Sequence, residues 1–172
     1  MTVYPTWRAG KKVSAELLTE QQTHIVIASS NLIRSNTATP TSDMALSFAL
    51  AVDARYIVEA FIAFDAVSTT PDITVSWSVP SGTTGGRFCF GAATPGSTFT
   101  DETNGRVTVR SQSIGSNTNY TQHDNPQSIT EILSLITSST AGNVVFQWSQ
   151  STATASNTTR LADSYLRIER VG

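Results

Sequence analysis

Two histidines, one cysteine and a thin scatter of acids are what this chain offers for chemistry. His24 opens an apolar run, and His123 sits beside Asp124 in a polar stretch far along the sequence. A zinc site needs three or four converging ligands, so a lone His-Asp pair reads as solvated loop. Glycoside hydrolysis needs two carboxyl groups roughly 5–10 Å apart. Asp101 and Glu102 are adjacent, and neighbours on an extended backbone point to opposite sides. Serine is abundant, but no Gly-x-Ser-x-Gly elbow presents one as a nucleophile. The Gly82-Thr83-Thr84-Gly85-Gly86 stretch lacks the Lys-Ser/Thr and the helix that complete a phosphate loop. Cys89 has no second cysteine to pair with, and between Phe88 and Phe90 it reads as a small buried hydrophobe. Trp77 and Trp148 fall on inward positions of alternating strands, which favours core packing over a sugar-stacking groove. No catalytic, cofactor-binding or metal-binding residue is assigned, and the chain is expected not to be an enzyme.

Composition points the same way. Charged residues make up 14% of the chain, against about 25% in typical soluble domains. Serine and threonine together account for 48 of 172 residues, so hydroxyls and amides must do most of the solvation. The net charge of −2 offers no basic patch for nucleic acid. No apolar run reaches the roughly 18 residues that argue for a membrane span. The N-terminus lacks the basic start and apolar core of a secretory signal. An extracellular type of surface without that signal fits release by lysis. The glycosylation patterns at Asn119 and Asn157 are discounted for the same reason.

Period-2 alternation then supplies the elements. In the last third, Val144, Phe146 and Trp148 share one face of a strand, with Gln147 and Ser149 on the other. A polar loop is read over residues 151–159. A final strand from Leu161 has Ala162, Ser164, Leu166 and Ile168 inward and Asp163, Arg167 and Glu169 outward, and is expected inside the sheet. Upstream, His24 to Ile27, the alternating Met44, Leu46, Phe48 and Leu50, and residues 73–79 read as strands. Residues 55–65 form a long strand, apolar on both faces and so expected to be central, with Glu59 either solvated or at a subunit contact. Residues 87–90 and 106–112 are short strands. Residues 128–138 fit a strand or three helical turns, and the strand is favoured. Turns or loops are read at 35–42, 83–86, 92–104 and 115–125. The sum is eight or nine strands without a long helix, an all-β antiparallel sandwich of jelly-roll type.

The first 22 residues differ in kind. Trp7, Arg8, Lys11 and Lys12 form a basic, Gly-broken segment. Residues 14–22 read as a short helix, N-capped by Ser14 with Leu17 and Leu18 on one side. Two units follow: an arm, 1–22, and a β-domain, 23–172. The arm either docks on a neighbouring subunit or folds back onto its own domain.

Three blocks carry a family resemblance. The run from Trp7-Arg8-Ala9-Gly10 through Ser14-Ala15-Glu16-Leu17-Leu18 resembles the opening W-x-A-G-x-x-L-T-A-x-x-L of small virion proteins from tailed phages of actinobacteria. Asp72-Ile73 through Trp77 to Pro80-Ser81-Gly82 resembles a central motif of theirs, D-hydrophobic-x-x-x-W-x-x-P-x-G. Val145-Phe146-Gln147-Trp148-Ser149-Gln150, the Ala/Thr/Ser/Asn run and the ending from Ser164-Tyr165 to Val171 are similar to their common C-terminal blocks. The arm departs from the pattern at Lys11-Lys12-Val13, where a polar residue and Leu are usual. The resemblance implies a structural protein of the particle, of minor-tail or capsid-decoration type, assembled in the host cytoplasm with other virion proteins. It brings no catalytic residues.

Two further readings stand beside it: a carbohydrate- or receptor-binding sandwich touching a host-surface glycan through loops 92–104 and 115–125, and a hydrolase with dispersed acids. A sandwich has one interior, so strands apolar on both faces need a second cover. Tyr56, Phe61, Ile132 and Ile136 are therefore candidate subunit-interface residues, and a homotrimer is expected.

Overall fold

The computed structural model describes residues 22–66, 72–92, 107–121, 126–137 and 139–171. The arm lies outside these residues except for Gln22, and so do most of loop 92–104, residues 122–125 with His123, and the pair Asp101-Glu102. Twelve strands and no helix are found among the described residues: β1 (His24–Ile27), β2 (Leu32–Arg34), β3 (Thr41–Leu50), β4 (Arg55–Ala66), β5 (Ile73–Ser78), β6 (Thr84–Ala92), β7 (Val107–Gln112), β8 (Thr118–Tyr120), β9 (Gln127–Ile136), β10 (Gly142–Gln150), β11 (Thr158–Arg160) and β12 (Tyr165–Arg170).

The middle eight strands pair as a nested set: β3 with β10, β4 with β9, β5 with β8 and β6 with β7, all antiparallel. This is a long two-stranded ribbon, and β10–β5 and β9–β6 pairings roll it up. The result is two sheets, β3-β10-β5-β8 and β4-β9-β6-β7, the strand order of a jelly roll. The second is widened beyond β4 by β12 and β1, with β11 and β2 at the far end of β4. As expected, the last strand lies inside the sheet, between β1 and β4.

The core is what alternation predicts. Val58, Ile62 and Phe64 of β4, Ile129, Leu133 and Leu135 of β9, and Leu166 and Ile168 of β12 line the large sheet's inner face. Ile73, Val75 and Trp77 of β5 and Val144, Phe146 and Trp148 of β10 meet them from the small sheet. Trp77 sits edge-on to Phe146, with ring centroids 5.2 Å apart, an arrangement worth about 0.5–1.5 kcal/mol beyond area burial. Cys89 is buried among them, as expected.

Several local expectations are corrected. The segment 83–86 is not a loop, because β6 begins at Thr84. Gly85 makes this close pairing with β9 feasible: a Cβ there would run into the backbone carbonyl of Ser134. Loop 115–125 contains β8, and loop 151–159 ends in β11. The final strand starts at Tyr165, after a turn at Asp163 with a left-handed φ of 63°. Met44 does not share the inward row of Leu46 and Leu50. β3 carries extra residues opposite β10 between the pairs Ser47↔Val145 and Ser42↔Gln147, and this bulge turns Met44 to solvent and Asp43 inward.

Candidate interaction surfaces and the buried clusters behind them

Among the described residues, Glu131 and Asp43 lie inside the sandwich, each with an arginine and a tryptophan. Glu131 of β9 accepts from Trp77 Nε1 at 2.6 Å on one oxygen and from the Tyr120 hydroxyl at 2.6 Å on the other. Arg87 of β6 forms an ion pair with it at 3.1 Å, and its second terminal nitrogen donates to Thr118 Oγ1 at 2.7 Å and to the Ser116 carbonyl. Both charged residues are fully buried. Burial, reinforced by the Glu131 carboxylate, pushes the Tyr120 phenol far above its ordinary range. The same two causes, burial first, raise the Cys89 thiol. Since the thiolate is the nucleophile, this buried cysteine is held in its unreactive form.

The second cluster is built on Asp43. Arg160 Nε donates to it at 2.8 Å, and Trp148 Nε1 at 3.3 Å. Arg160 also donates to the carbonyls of Ser30 and Leu161. Arg34 lies with its guanidinium carbon 4.3 Å from the centre of the Trp148 ring. It donates to the carbonyls of Thr41, Ser42 and Trp148. Partial burial lowers its pKa, an effect that Asp43 opposes. In neither cluster is a carboxylate turned toward a cleft. Both tryptophan rings are internal, which removes them from any sugar-binding surface.

The sheets' outer faces are unlike each other. On the small sheet, Thr74, Ser76, Asn119, Gln147 and Ser149 stand at the outward parity; Thr74, Ser76 and Ser149 are nonetheless buried, Gln147 is half-buried and Asn119 is exposed. Thr74 donates to Asn119 Oδ1 at 2.8 Å and Ser76 to Gln147 Oε1 at 3.4 Å. A polar cleft of about 390 Å³ opens at its rim, lined by Ala38, Thr74, Arg110, Asn117, Asn119 and Ser151. Arg110 donates there to the Asn119 carbonyl at 3.0 Å, while its Nε has no acceptor. On the large sheet the outer face is apolar. Ile25, Ile27, Ile57, Phe88, Val109, Ile132 and Ile136 are all exposed. Phe61 is partly covered by Tyr165, stacked at 5.5 Å and 19°. Glu59 meets Arg167 at 3.7 Å in the middle of this face, both largely exposed. A third feature, an open apolar groove of about 730 Å³, lies between β1 and β12 on one side and the end of β3 on the other, with His24 and Arg170 among its lining.

The candidate interface residues divide accordingly. Phe61, Ile132 and Ile136 stand together on the outer face of the large sheet. Tyr56 does not join them: it points inward, is buried, and its hydroxyl accepts from the Ala51 N–H at 3.0 Å. Its parity with Val58 and Ile62 is the reason. Trp7, Arg8, Lys11, Lys12, Leu17 and Leu18 lie outside the described residues. Residues the sequence reading missed on the same face are Ile25, Ile27, Phe88 and Val109. Their signal was the same alternation, with an apolar residue at the outward parity.

Among the described residues no group of three or more His, Cys, Asp or Glu side chains could hold a metal ion, and no helix is long and apolar enough to cross a membrane. No protein-family model and no curated protein matches the chain. Solved structures with some similarity include the infectious bursal disease virus VP2 subviral particle, at 8% identity over 88% of this chain and 36% of that chain, with a TM-score of 0.21. The structure of the Gx strain of the same virus gives 8% identity, 87% and 38% coverage and a TM-score of 0.23. The human norovirus GI.7 Houston strain VLP gives 11% identity, 87% and 32% coverage and a TM-score of 0.19. The chain thus spans well under half the length of these solved chains, and the jelly-roll assignment rests on the strand order.

Proposed function

We propose that this chain is a structural protein of a bacteriophage particle. In this reading it is displayed on the exterior as a minor tail or capsid-decoration component, held by its N-terminal arm and assembled as a homotrimer. Jelly rolls serve as viral capsid domains, lectin domains and cupins, so the fold alone does not choose. The observation that carries the choice is the apolar outer face of the large sheet. An exposed apolar face of this extent marks an interface. The motif resemblance over the arm, central and C-terminal blocks supports the same reading. No catalysis is proposed, since the buried acids Glu131 and Asp43 are already saturated by tryptophan, tyrosine and arginine donors.

The test is made on particles. Antibodies against the β-domain should label the virion exterior, and deleting residues 1–22 should leave a folded, soluble β-domain that no longer joins particles. Unlabelled particles would sink the reading, and a deletion that unfolds the domain would sink the anchoring role of the arm. The polar cleft with Arg110, Asn117 and Asn119 favours one alternative, a carbohydrate- or receptor-binding module. Binding of the purified protein on a glycan array, lost in Arg110→Ala, would decide for that alternative.

A further inference from the structure

We propose that the outer face of the large sheet is a homotypic contact, covered in the assembled state by neighbouring copies of this chain through the same face. The inference rests on the assembly reading above for expecting copies side by side, and it names the surface through which they meet.

Register places the side chains in rows across the strands. One row runs Ile27, Tyr165, Phe61, Thr130, Phe90 and Val109. The next runs Ile25, Arg167, Glu59, Ile132 and Phe88. Ile25, Ile27, Phe88 and Val109 are each more than half exposed, at 52–61%. Ile57, Ile132 and Ile136 add to these at 37–45%, so seven large apolar side chains stand exposed on one face, where an ordinary monomer surface scatters them singly.

The charges say which partner fits. A strongly charged partner would find no field here, because the central Glu59 and Arg167 neutralise each other. Arg55 and Glu169 add one charge of each sign to the same face. Asp65, of the same parity, lies apart at the β11 end of β4, so over the rows that carry the exposed apolar residues an identical face leaves no net charge to bury. The apolar residues fall into two lobes on either side of the ion pair. Ile25 and Ile27 form one on β1, and Phe88 and Val109 form the other on β6 and β7. One lobe of a copy can meet the other lobe of its neighbour, the head-to-tail contact from which closed rings are built. The small Thr130 and Ser134 between the lobes allow close approach.

The experiment is sedimentation equilibrium of the purified full chain at micromolar concentration, with Phe88→Glu and Ile25→Glu as one substitution in each lobe. Met44→Glu is the control, since Met44 is 64% exposed on the small sheet's bulge. The expected result is a multimer for the wild type and for Met44→Glu, with association at least tenfold weaker in both lobe variants and an unchanged β spectrum. A wild-type mass of one chain at every concentration, or a multimer indifferent to both lobe substitutions, would overturn the proposal. If a lobe variant misfolds, hydroxyl-radical footprinting of the wild type replaces it. Phe88 should become labelled on dilution while Met44 is labelled throughout, and a Phe88 signal independent of concentration would count against the contact. A chain that self-associates through this face yet never joins particles would leave the proposal standing and remove the virion reading. A chain found on particles but monomeric in every assay would do the reverse.

Discussion

The buried carboxylates Glu131 and Asp43 use the same kinds of partner and solve different problems. Glu131 is held by side chains alone. Trp77 and Tyr120 reach it from the small sheet and Arg87 from within the large one, so it ties the two sheets together at a point far from water. Asp43 lies at a bulge, and its arginine leans on the backbone carbonyls of Ser30 and Leu161 as much as on the acid. The comparison teaches that an ion pair's cost of loss depends on how many other donors lose their acceptor with it, since both arginines keep two further acceptors. Arg87 without Glu131 would keep the Thr118 hydroxyl and the Ser116 carbonyl, but Trp77 and Tyr120 would each lose their acceptor as well. Arg160 without Asp43 would still have two carbonyls, with one indole left unpaired.

Glu131→Ala should therefore be the largest loss, about 3–5 kcal/mol, the range for breaking a buried pair. Asp43→Ala should cost less, about 2–3 kcal/mol, nearer the value of charged hydrogen bonds. Urea unfolding of both variants decides it, and equal losses would erase the distinction. Tyr120→Phe sharpens it in another way, at about 1–2 kcal/mol near neutral pH. The Tyr120 phenol and Cys89 thiol both have folded pKa values above their unfolded ones. Their contribution is complete below the unfolded values, about 8.5 for cysteine and 10 for tyrosine, and is lost as the pH rises beyond them. Alkaline destabilisation should thus be traceable to the Glu131 cluster and should weaken in Tyr120→Phe. An identical alkaline slope in that variant would assign the effect elsewhere. The smallest effect belongs to the open side of the second cluster. Arg34→Ala should cost about 0.5–1 kcal/mol through loss of its contact with the Trp148 ring, together with a change in the near-ultraviolet dichroism of that indole. No change in either would mean that neither the ring contact of Arg34 nor its hydrogen bonds to the Thr41, Ser42 and Trp148 carbonyls stabilise the fold.

Much of the fold is legible in the sequence, and the exceptions have physical causes. Long strands announce themselves: β4, β9 and β10 carry enough alternation to fix which side chains go inside, and Trp77 and Trp148 are found at the inward positions expected of them. The three-residue strands β2, β8 and β11 cannot show a period in so few positions; β8 and β11 form on the edges that the longer β5 and β4 offer, and β2 adds to β11. Met44 leaves its expected row, and Asp43 takes the inward place, because a bulge reverses parity. Nothing local in Thr41-Ser42-Asp43-Met44 marks it. Glu131 and Arg87 stand at inward parity with Ile129, Leu133 and Cys89. Charge alone argues against reading them as core, since burial of such groups demands partners from distant strands. Phe61, Ile132 and Ile136 are found together on one surface, whereas Tyr56 shares the opposite parity and packs inside.

The nested ribbon also dictates when the molecule can take shape. β3 waits for β10, β4 for β9, and β1 for β12, so each outer pair closes only after the strands between them have left the ribosome. Until then the apolar strands emerge without their mates, and non-local pairing of this kind is slow and exposed to aggregation. A polypeptide cut short anywhere before residue 165 would lack β12, leaving β1 and one edge of β4 unpaired. Folding of the β-domain is therefore close to all-or-nothing: a nascent fragment without β12 is a liability, and the paired strands take shape together.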